Sequence, residues 1–168
     1  MHNHVAGHAH PHAGEEAGHE DVLARAERLC RERDLQFTRL RRDVLETIAA
    51  ESKPMGAYDI AERLSAGGKR VAAVSVYRAL DFLTEHGLVH RIASRNAFVS
   101  CGHNHGERDG LLFLICRSCG GIDELTSPAI ESQLDRAVTE AGFTPTSRII
   151  EVEGECGACR EQGRSAGH

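Results

Sequence analysis

The chain has 168 residues, 40% of them hydrophobic but only 4% aromatic, and its formal net charge is −5. This length suits one medium domain or two small ones, and no stretch approaches the ~20 consecutive apolar residues that a membrane-spanning helix requires. The N-terminus also lacks the apolar core of a secretory signal, so we expect a cytoplasmic protein with no membrane partner. In that compartment the six cysteines are expected to be metal ligands or free thiols rather than stable disulfides.

The first 20 residues form a segment rich in His, Ala and Gly, with almost no side chain able to anchor a core. This composition predicts a disordered tail over residues 1–20. We interpret it as a loose metal-collecting segment, and an artificial tag is the alternative. Six of the 11 histidines lie here, namely His2, His4, His8, His10, His12 and His19.

Helical periodicity begins after this tail. A first helix is predicted from Asp21, because Val22, Ala26, Leu29 and Cys30 fall on one apolar face. Since free cysteine is among the most buried residue types, we interpret Cys30 as a core residue and not as a ligand.

Three further helices are predicted before residue 88. Thr38 is a good N-cap for the second helix, and the third covers Ala57–Leu64. Ser75 is the expected N-cap of the fourth helix, which Gly87 ends.

Two short β-like runs, Leu88–Ile92 and Ala97–Ser100, follow these helices. Short helices followed by a hairpin are typical of a winged helix-turn-helix, so residues 21–100 are predicted to be a DNA-binding domain whose fourth helix enters the major groove. A small basic excess over residues 21–95, against an acidic excess over residues 96–168, agrees with two modules that have different partners.

Residues 101–160 are predicted to be a small α/β dimerisation domain with three strands and one main helix. The strands are Leu111–Ile115, Gly121–Leu125 and Arg148–Val152, and Pro128 opens the helix. Such a sheet has exposed edges and a thin core, so it needs a partner subunit. The fold class is therefore α+β, with residues 161–168 expected to be a flexible tail.

Two CxxC pairs carry the strongest chemical signal in the sequence. Four thiolates with this spacing suit a tetrahedral Zn²⁺ site without an open position for substrate, so we predict structural zinc. A thiol redox switch and unrelated surface thiols are the alternatives. The ligands would be Cys116, Cys119, Cys156 and Cys159.

A second and looser set of possible ligands spans the two domains. Mixed His, Cys and carboxylate ligands suit Zn²⁺, and a thiolate disfavours Mg²⁺ or Ca²⁺. The alternatives are solvated loop histidines or a Cys–His nucleophile pair. The set comprises His90, Cys101, His103, His105 and Glu124. The sequence contains no GxSxG, Walker or GxGxxG motif, so we expect neither an enzyme nor a small-molecule substrate.

Several segments together resemble the ferric uptake regulator family, and most of all its zinc uptake regulator subgroup. The resemblance covers roughly residues 22–160, nearly everything but the tails. It rests on residues 57–60 (AYDI), 76–83 (VYRALDFL), 87–91 (GLVHR), 94–101 (SxNxFVxC), 114–120 (LICxxCG) and 150–159 (IE to CxxC).

The resemblance implies a homodimeric, metal-activated transcriptional repressor that binds a palindromic operator in double-stranded DNA. The two CxxC pairs match the family's structural zinc cysteines. His90, Cys101 and Glu124 match three ligands of the subgroup's regulatory zinc site. Its fourth ligand falls on Asp109 in an ungapped alignment, and His103 or His105 could take that place.

The same resemblance separates the zinc subgroup from its relatives. The HHxDH run that iron-type members carry before the first CxxC is absent, because residues 109–112 read DGLL. A zinc response is therefore expected. The rivals are an iron-, manganese- or peroxide-sensing member of the family and, more distantly, a CxxC thiol-redox protein.

The expected DNA contacts lie at the starts of the helices. Val76, Tyr77 and Arg78 near the N-terminus of the fourth helix are expected to meet bases and phosphates. The alternative for Tyr77 is a core aromatic. Tyr58, Arg39 and Arg42 complete the predicted DNA-binding set, with Arg41 beside them. Zinc is expected to act by population shift, enriching the relative orientation of the two modules that fits DNA.

Overall fold

The computed structural model describes residues 15–68, 70–101, 111–125, 127–146 and 148–165. The N-terminal domain contains four helices and a hairpin, and the C-terminal domain contains a three-stranded sheet and two helices. The elements are α1 (Glu15–Glu32), α2 (Arg39–Ala49), α3 (Ala57–Ser65), α4 (Ala73–Glu85), β1 (Val89–Ile92), a 3-10 turn (Ala93–Arg95), β2 (Ala97–Ser100), β3 (Leu111–Cys116), β4 (Ile122–Leu125), α5 (Pro128–Glu140), β5 (Ile149–Gly154) and α6 (Gly157–Ser165). The α+β class and the two-domain order agree with the prediction.

Helices α1–α4 pack around a hydrophobic core that is mostly aliphatic and includes Phe82 and Phe98. Thr38 caps α2, since its side chain accepts a hydrogen bond from the Arg41 backbone N–H at 3.4 Å. At the end of α4, Gly87 adopts φ 65°, and Leu88 N–H donates to Leu83 C=O at 2.9 Å. This is a Schellman closure, which only a residue tolerant of positive φ allows without strain. It turns the chain sharply from α4 into β1.

The hairpin β1–β2, called the wing below, is antiparallel and pairs Val89 with Ser100 and Ile92 with Ala97. Its tip is the 3-10 turn, which Asn96 closes in the left-handed conformation with φ 47°. Met55 forms an isolated bridge to Phe98 and so adds one more pairing beside β2.

The C-terminal sheet has the order β4-β3-β5, with β3 antiparallel to β4 and parallel to β5. Because paired residues point to the same side of a sheet, the register defines two faces. Phe113, Ile115 and Glu124 lie on the face that meets the wing. The other face carries Leu114 and Val152, both partly exposed.

Three predicted boundaries are wrong. Helix α1 begins at Glu15 and not at Asp21, so the predicted tail is helical over residues 15–20, while residues 1–14 lie outside the described part. Helix α4 begins at Ala73 and not after Ser75, because Ala72 supplies the extended N-cap backbone and accepts from Ser75 N–H. Helix α6 extends to Ser165, where a flexible tail from residue 161 was expected.

Helix α6 escaped prediction for a physical reason. Its sequence, GACREQGRS, contains two glycines and little apolar surface, so neither propensity nor periodicity favours a helix. Cys159 lies in its first turn, so the start of the helix is anchored by the cysteine cluster rather than by a hydrophobic core. Among the described residues, no helix is both long and apolar enough to cross a membrane.

Candidate metal centres and nucleic-acid interface

The four CxxC cysteines converge at one end of the C-terminal sheet. Cys116 and Cys119 flank the turn between β3 and β4, and Cys156 follows β5. Strand β5 runs parallel to β3 and pairs Gly154 with Cys116, so both CxxC segments lie at the same end of the sheet, where these two strands finish. All four sulfur atoms lie within 4.8 Å of one another.

The separations of these sulfur atoms match the needs of zinc. Four sulfurs at the ~2.3 Å zinc–sulfur distance of a tetrahedral site lie about 3.8 Å apart. The sulfurs of Cys116 and Cys159 are 3.8 Å apart. Backbone N–H groups also point at the cluster: Cys156 N donates to Cys116 Sγ at 3.3 Å, and Gly121 N donates to Cys119 Sγ at 3.4 Å. The donor set therefore fits a structural zinc ion.

These contacts divide the protons unequally among the thiols. Hydrogen bonds from the backbone of Cys119 and Cys156 lower the pKa of Cys116 to about 6. Hydrogen bonds with Cys156 and Cys116, together with burial, raise the pKa of Cys159 to about 12. The lowered pKa of Cys116 favours its thiolate, which is the form that binds metal.

The second set of predicted ligands is brought together in part. Ligand atoms of His90, Cys101 and Glu124 lie within 4.8 Å of one another; these three residues are called the bridging cluster. His90 is in β1, Cys101 directly follows β2, and Glu124 is in β4, so the cluster joins the wing to the C-terminal sheet. His103, His105 and Asp109 lie outside the described residues.

Burial and backbone contacts shape the bridging cluster. Cys101 is 2% exposed, and its N–H donates to Leu88 C=O at 3.0 Å just beyond the strand ladder. The His90 ring packs against Phe113 with centroids 5.6 Å apart. Imidazole, thiolate and carboxylate ligands in a partly buried site suit Zn²⁺. They suit Mn²⁺ less well, because Mn²⁺ prefers oxygen ligands to thiolates.

Arg25 of α1 is a contributor that sequence reasoning missed. Its guanidinium donates a 2.9 Å hydrogen bond to the Cys101 carbonyl, and the residue is only 8% exposed. A buried arginine is uncommon unless its charge is compensated. Arg25 thereby connects α1 to the backbone of the bridging cluster. In the sequence, the one signal of this contact is the position of Arg25 beside Val22 and Ala26 on the apolar face of α1.

The predicted DNA-binding residues divide into two groups. Tyr58 is 71% exposed and packs edge-on against Tyr77 at 6.3 Å, while Arg78 is exposed on the same end of the domain. The Arg39 side chain is 94% exposed at the start of α2. Neither α2 nor α4 has an acidic residue in its first turn, so both N-termini are electrostatically open to phosphate.

Other residues near these helix starts are buried or make contacts within the domain. Val76 is fully buried, because it shares the core stripe of α4 with Ala79 and Leu80, which corrects its expected base contact. Arg42 pairs with Glu27 of α1, and the Arg41 guanidinium lies over the Phe82 ring at 3.5 Å. Tyr77 is half-buried against the core, between the two roles expected for it.

Comparison with known proteins agrees with this architecture. The model of the ferric uptake regulator family matches residues 32–153. The zinc uptake regulation protein of Escherichia coli K12 is 32% identical over 142 residues, which cover 84% of this chain and 83% of that protein. A solved zinc uptake regulator complexed with zinc and DNA is 30% identical, with a TM-score of 0.80 over 87% of this chain and 97% of that one.

Two solved forms of one relative, XcZur, match this chain to different extents. The holo form is 38% identical and superposes with a TM-score of 0.75 over 84% of this chain and 98% of its own. The apo form, 36% identical, gives 0.51 over 86% and 99%. At nearly equal identity, this chain therefore superposes better on the holo form than on the apo form. The chain belongs to the ferric uptake regulator family.

Proposed function

We propose that this chain is a zinc-responsive transcriptional repressor, which binds a palindromic operator as a metal-loaded homodimer and controls genes of zinc uptake and homeostasis. It acts by binding and not by catalysis. The observation that carries the proposal is the bridging cluster, whose ligands come from both domains.

The bridging cluster is the proposed regulatory site. Zinc bound there would supply coordinate bonds to both domains at once. His90 and Cys101 present their ligand atoms from the wing and Glu124 presents its own from the sheet, so the set is complete in only one relative orientation of the domains. Moving a mostly inactive population to a mostly active one requires about 5 kcal/mol of differential affinity, and protein zinc sites reach ~10–16 kcal/mol.

The four-cysteine cluster has the complementary, structural role. Its cysteines fasten β5 and α6 to the turn after β3, and they leave no position for a substrate. We expect it to stay filled with zinc whether or not DNA is bound.

The proposed DNA surface is formed by the exposed ends of α2, α3 and α4. We expect Arg78 and Tyr58, which are exposed there, to reach base edges, and Arg39 to reach a phosphate. The proposed homodimer would pair two such surfaces, since two-fold symmetry in the protein matches a palindrome in the operator.

The rival functions differ in measurable ways. An iron or manganese sensor would need a harder donor set than one containing the Cys101 thiolate, and a thiol-redox protein would need a reactive pair in place of four mutually close sulfurs. Metal analysis of protein purified without added metal, followed by peroxide treatment, separates these classes.

Fluorescence anisotropy with a labelled palindromic duplex from a zinc-uptake promoter tests the proposal. Zn²⁺ should strengthen binding by about 100-fold or more over chelator, and Fe²⁺ or Mn²⁺ at the same concentration should have little effect. Equal affinity in chelator and in zinc would refute the metal switch.

A pair of neighbouring substitutions sharpens this test. With the four-cysteine cluster already filled, Glu124→Gln should lower the affinity for the second zinc ion, the one at the bridging cluster, by more than tenfold, because the ligand carboxylate is lost. Asp123→Asn is the matched control, since Asp123 is adjacent in β4 but exposed on the opposite face. Identical zinc responses in the two variants would remove Glu124 from the site.

A further inference from the structure

The tip of the wing lies against β5 of the C-terminal sheet. Glu151 accepts one hydrogen bond at each carboxylate oxygen: from Ala93 N–H to Oε1 at 2.6 Å, and from Ser94 N–H to Oε2 at 3.0 Å. These two N–H groups open the 3-10 turn and have no carbonyl partner within it. The carboxylate therefore satisfies two backbone donors of the wing from the other domain.

Charge and ionisation support the same contact. Burial disfavours the charged carboxylate, but hydrogen bonds from the Ser94 side chain and the Ser94 and Ala93 backbone outweigh it and lower the pKa of Glu151. The group is thus ionised at neutral pH, when hydrogen bonds to it are strongest. Arg95 and Glu153 add an ion pair at 3.5 Å beside it.

The register of the sheet relates this contact to the bridging cluster. Phe113 of β3 is the cross-strand partner both of Glu124 in β4 and of Glu151 in β5. The three residues form one row across the sheet, on the face that meets the wing. With strands ~4.8 Å apart, Glu124 and Glu151 are about 10 Å from each other.

Each member of this row contacts the wing differently. Glu124 joins His90 and Cys101 in the bridging cluster, and Phe113 packs with Ile92 in an apolar cluster. Glu151 holds the tip. The wing is therefore fixed to the sheet at three points, of which only the first depends on metal.

We propose that Glu151 is a positioning residue, which clasps the wing tip and so holds the two domains in the orientation where the ligands of the bridging cluster converge. This inference rests on the proposed function and deepens it. It gives the wing tip a role in domain alignment, and it makes zinc affinity depend on a residue that is not a ligand.

The expected size of the effect follows from population linkage. A ligand's apparent dissociation constant equals its intrinsic value divided by the fraction of molecules in the competent state. Loss of the clasp lowers that fraction in the protein without zinc at the bridging cluster. We expect Glu151→Gln to weaken the second zinc equivalent by about tenfold, which corresponds to ~1.4 kcal/mol.

The experiment compares full-length wild type, Glu151→Gln, and Glu140→Gln as the control. Glu140 lies in α5 of the same domain and pairs with Arg136, so its substitution makes the same change of charge elsewhere. Hydrogen exchange at Ala93 and Ser94, with only the four-cysteine cluster filled, reports the clasp. Chelator competition reports the affinity of the second zinc ion, and anisotropy reports DNA binding.

The proposal expects faster exchange at Ala93 and Ser94, weaker second-site zinc affinity, and DNA binding that is reduced at limiting zinc but recovers at saturating zinc. Glu151→Asp, which keeps the charge but is one methylene shorter, should give an intermediate loss. Unchanged zinc affinity in Glu151→Gln, or a DNA-binding defect that persists at saturating zinc, would overturn it. A wild type that binds a single zinc ion would instead overturn the proposed function, and the exchange comparison still decides whether Glu151 holds the tip.

Discussion

Cys119 is the exposed member of the four-cysteine cluster, yet its position is tightly specified. Gly120 adopts φ 76°, which turns the chain back toward β4, and Gly121 N–H then reaches the Cys119 sulfur. An ideal Cβ at Gly121 would lie 3.4 Å from that sulfur, at van der Waals contact. The two glycines after the first CxxC therefore set the geometry of one ligand.

Cys119→Ser should reduce bound zinc from two ions per chain to one. The remaining three thiolates lose the tetrahedral set, and because metal binding supports folding of this end of the domain, the melting temperature should fall by about 10 °C or more. Zinc release measured with a chromophoric chelator and thermal unfolding followed by circular dichroism would record both effects.

Cys30→Ala is the comparison for this variant. Cys30 is 3% exposed in the helical core, and burial raises its thiol pKa. It should retain both zinc ions despite the loss of a cysteine. A Cys119→Ser protein that still held two ions at wild-type affinity would contradict the structural role of the cluster.

At the scale of elements, the sequence predicted best where a local signal fixes a boundary. The Thr38 cap of α2, the Gly87 end of α4 and strand β2 all lie where local patterns placed them. The start of α4 was misplaced because Ser75 is a good cap by type, whereas Ala72 serves as cap through backbone conformation alone.

Long-range contacts had no local signal. Arg25 meets Cys101 across 76 residues, and Glu151 meets Ala93 across 58. The spacing of Cys and His residues in the sequence can predict metal ligands. Which backbone carbonyl or N–H a charged side chain binds depends on how the two domains pack, and the sequence does not show that. For this reason the ligands were nominated from sequence, whereas the residues that support them required the structure.

Helix α4 exposes Arg78 on one face and buries Val76 on another. Arg78→Ala should weaken operator binding of the zinc-loaded protein by about 10- to 100-fold, because a base or phosphate contact of arginine is worth ~1–3 kcal/mol. Anisotropy titrations against the operator and a scrambled duplex, at one fixed salt concentration, would measure the loss and its sequence dependence.

Two control variants test whether the loss is specific to Arg78. Arg136→Ala removes the same charge from α5 of the C-terminal domain and should leave operator affinity nearly unchanged. Val76→Ala should lower stability by creating a cavity, with little change in sequence preference. If Arg136→Ala and Arg78→Ala were equally impaired, a general charge effect would explain the loss.

For the whole molecule, the two faces of the C-terminal sheet have different tasks. One face meets the wing through Glu124, Phe113 and Glu151. The opposite face, α5 and the segment after α5 expose apolar side chains that a protein of this size does not leave uncovered without a partner. The exposed set comprises Leu114, Leu125, Ile130, Phe143 and Val152.

The division of faces predicts how dimerisation can be broken without disturbing the metal centres. Val152→Lys places a charge in the exposed apolar set, beside its cross-strand partner Leu114 and away from the wing. Burying that lysine unpaired at an interface costs several kcal/mol, so the variant should become monomeric at micromolar concentration while still binding two zinc ions. Sedimentation equilibrium with parallel zinc analysis would measure both properties.

Val74→Lys provides the matched control, because Val74 is an exposed valine of the DNA-binding domain, at 60% against 47% for Val152. It should remain dimeric. A Val152→Lys protein that sediments as a dimer would show that subunits associate through another surface. A monomer that keeps zinc-dependent half-site binding but loses affinity for the full palindrome would establish that zinc aligns the domains within each chain, and that the dimer then doubles the contact with DNA.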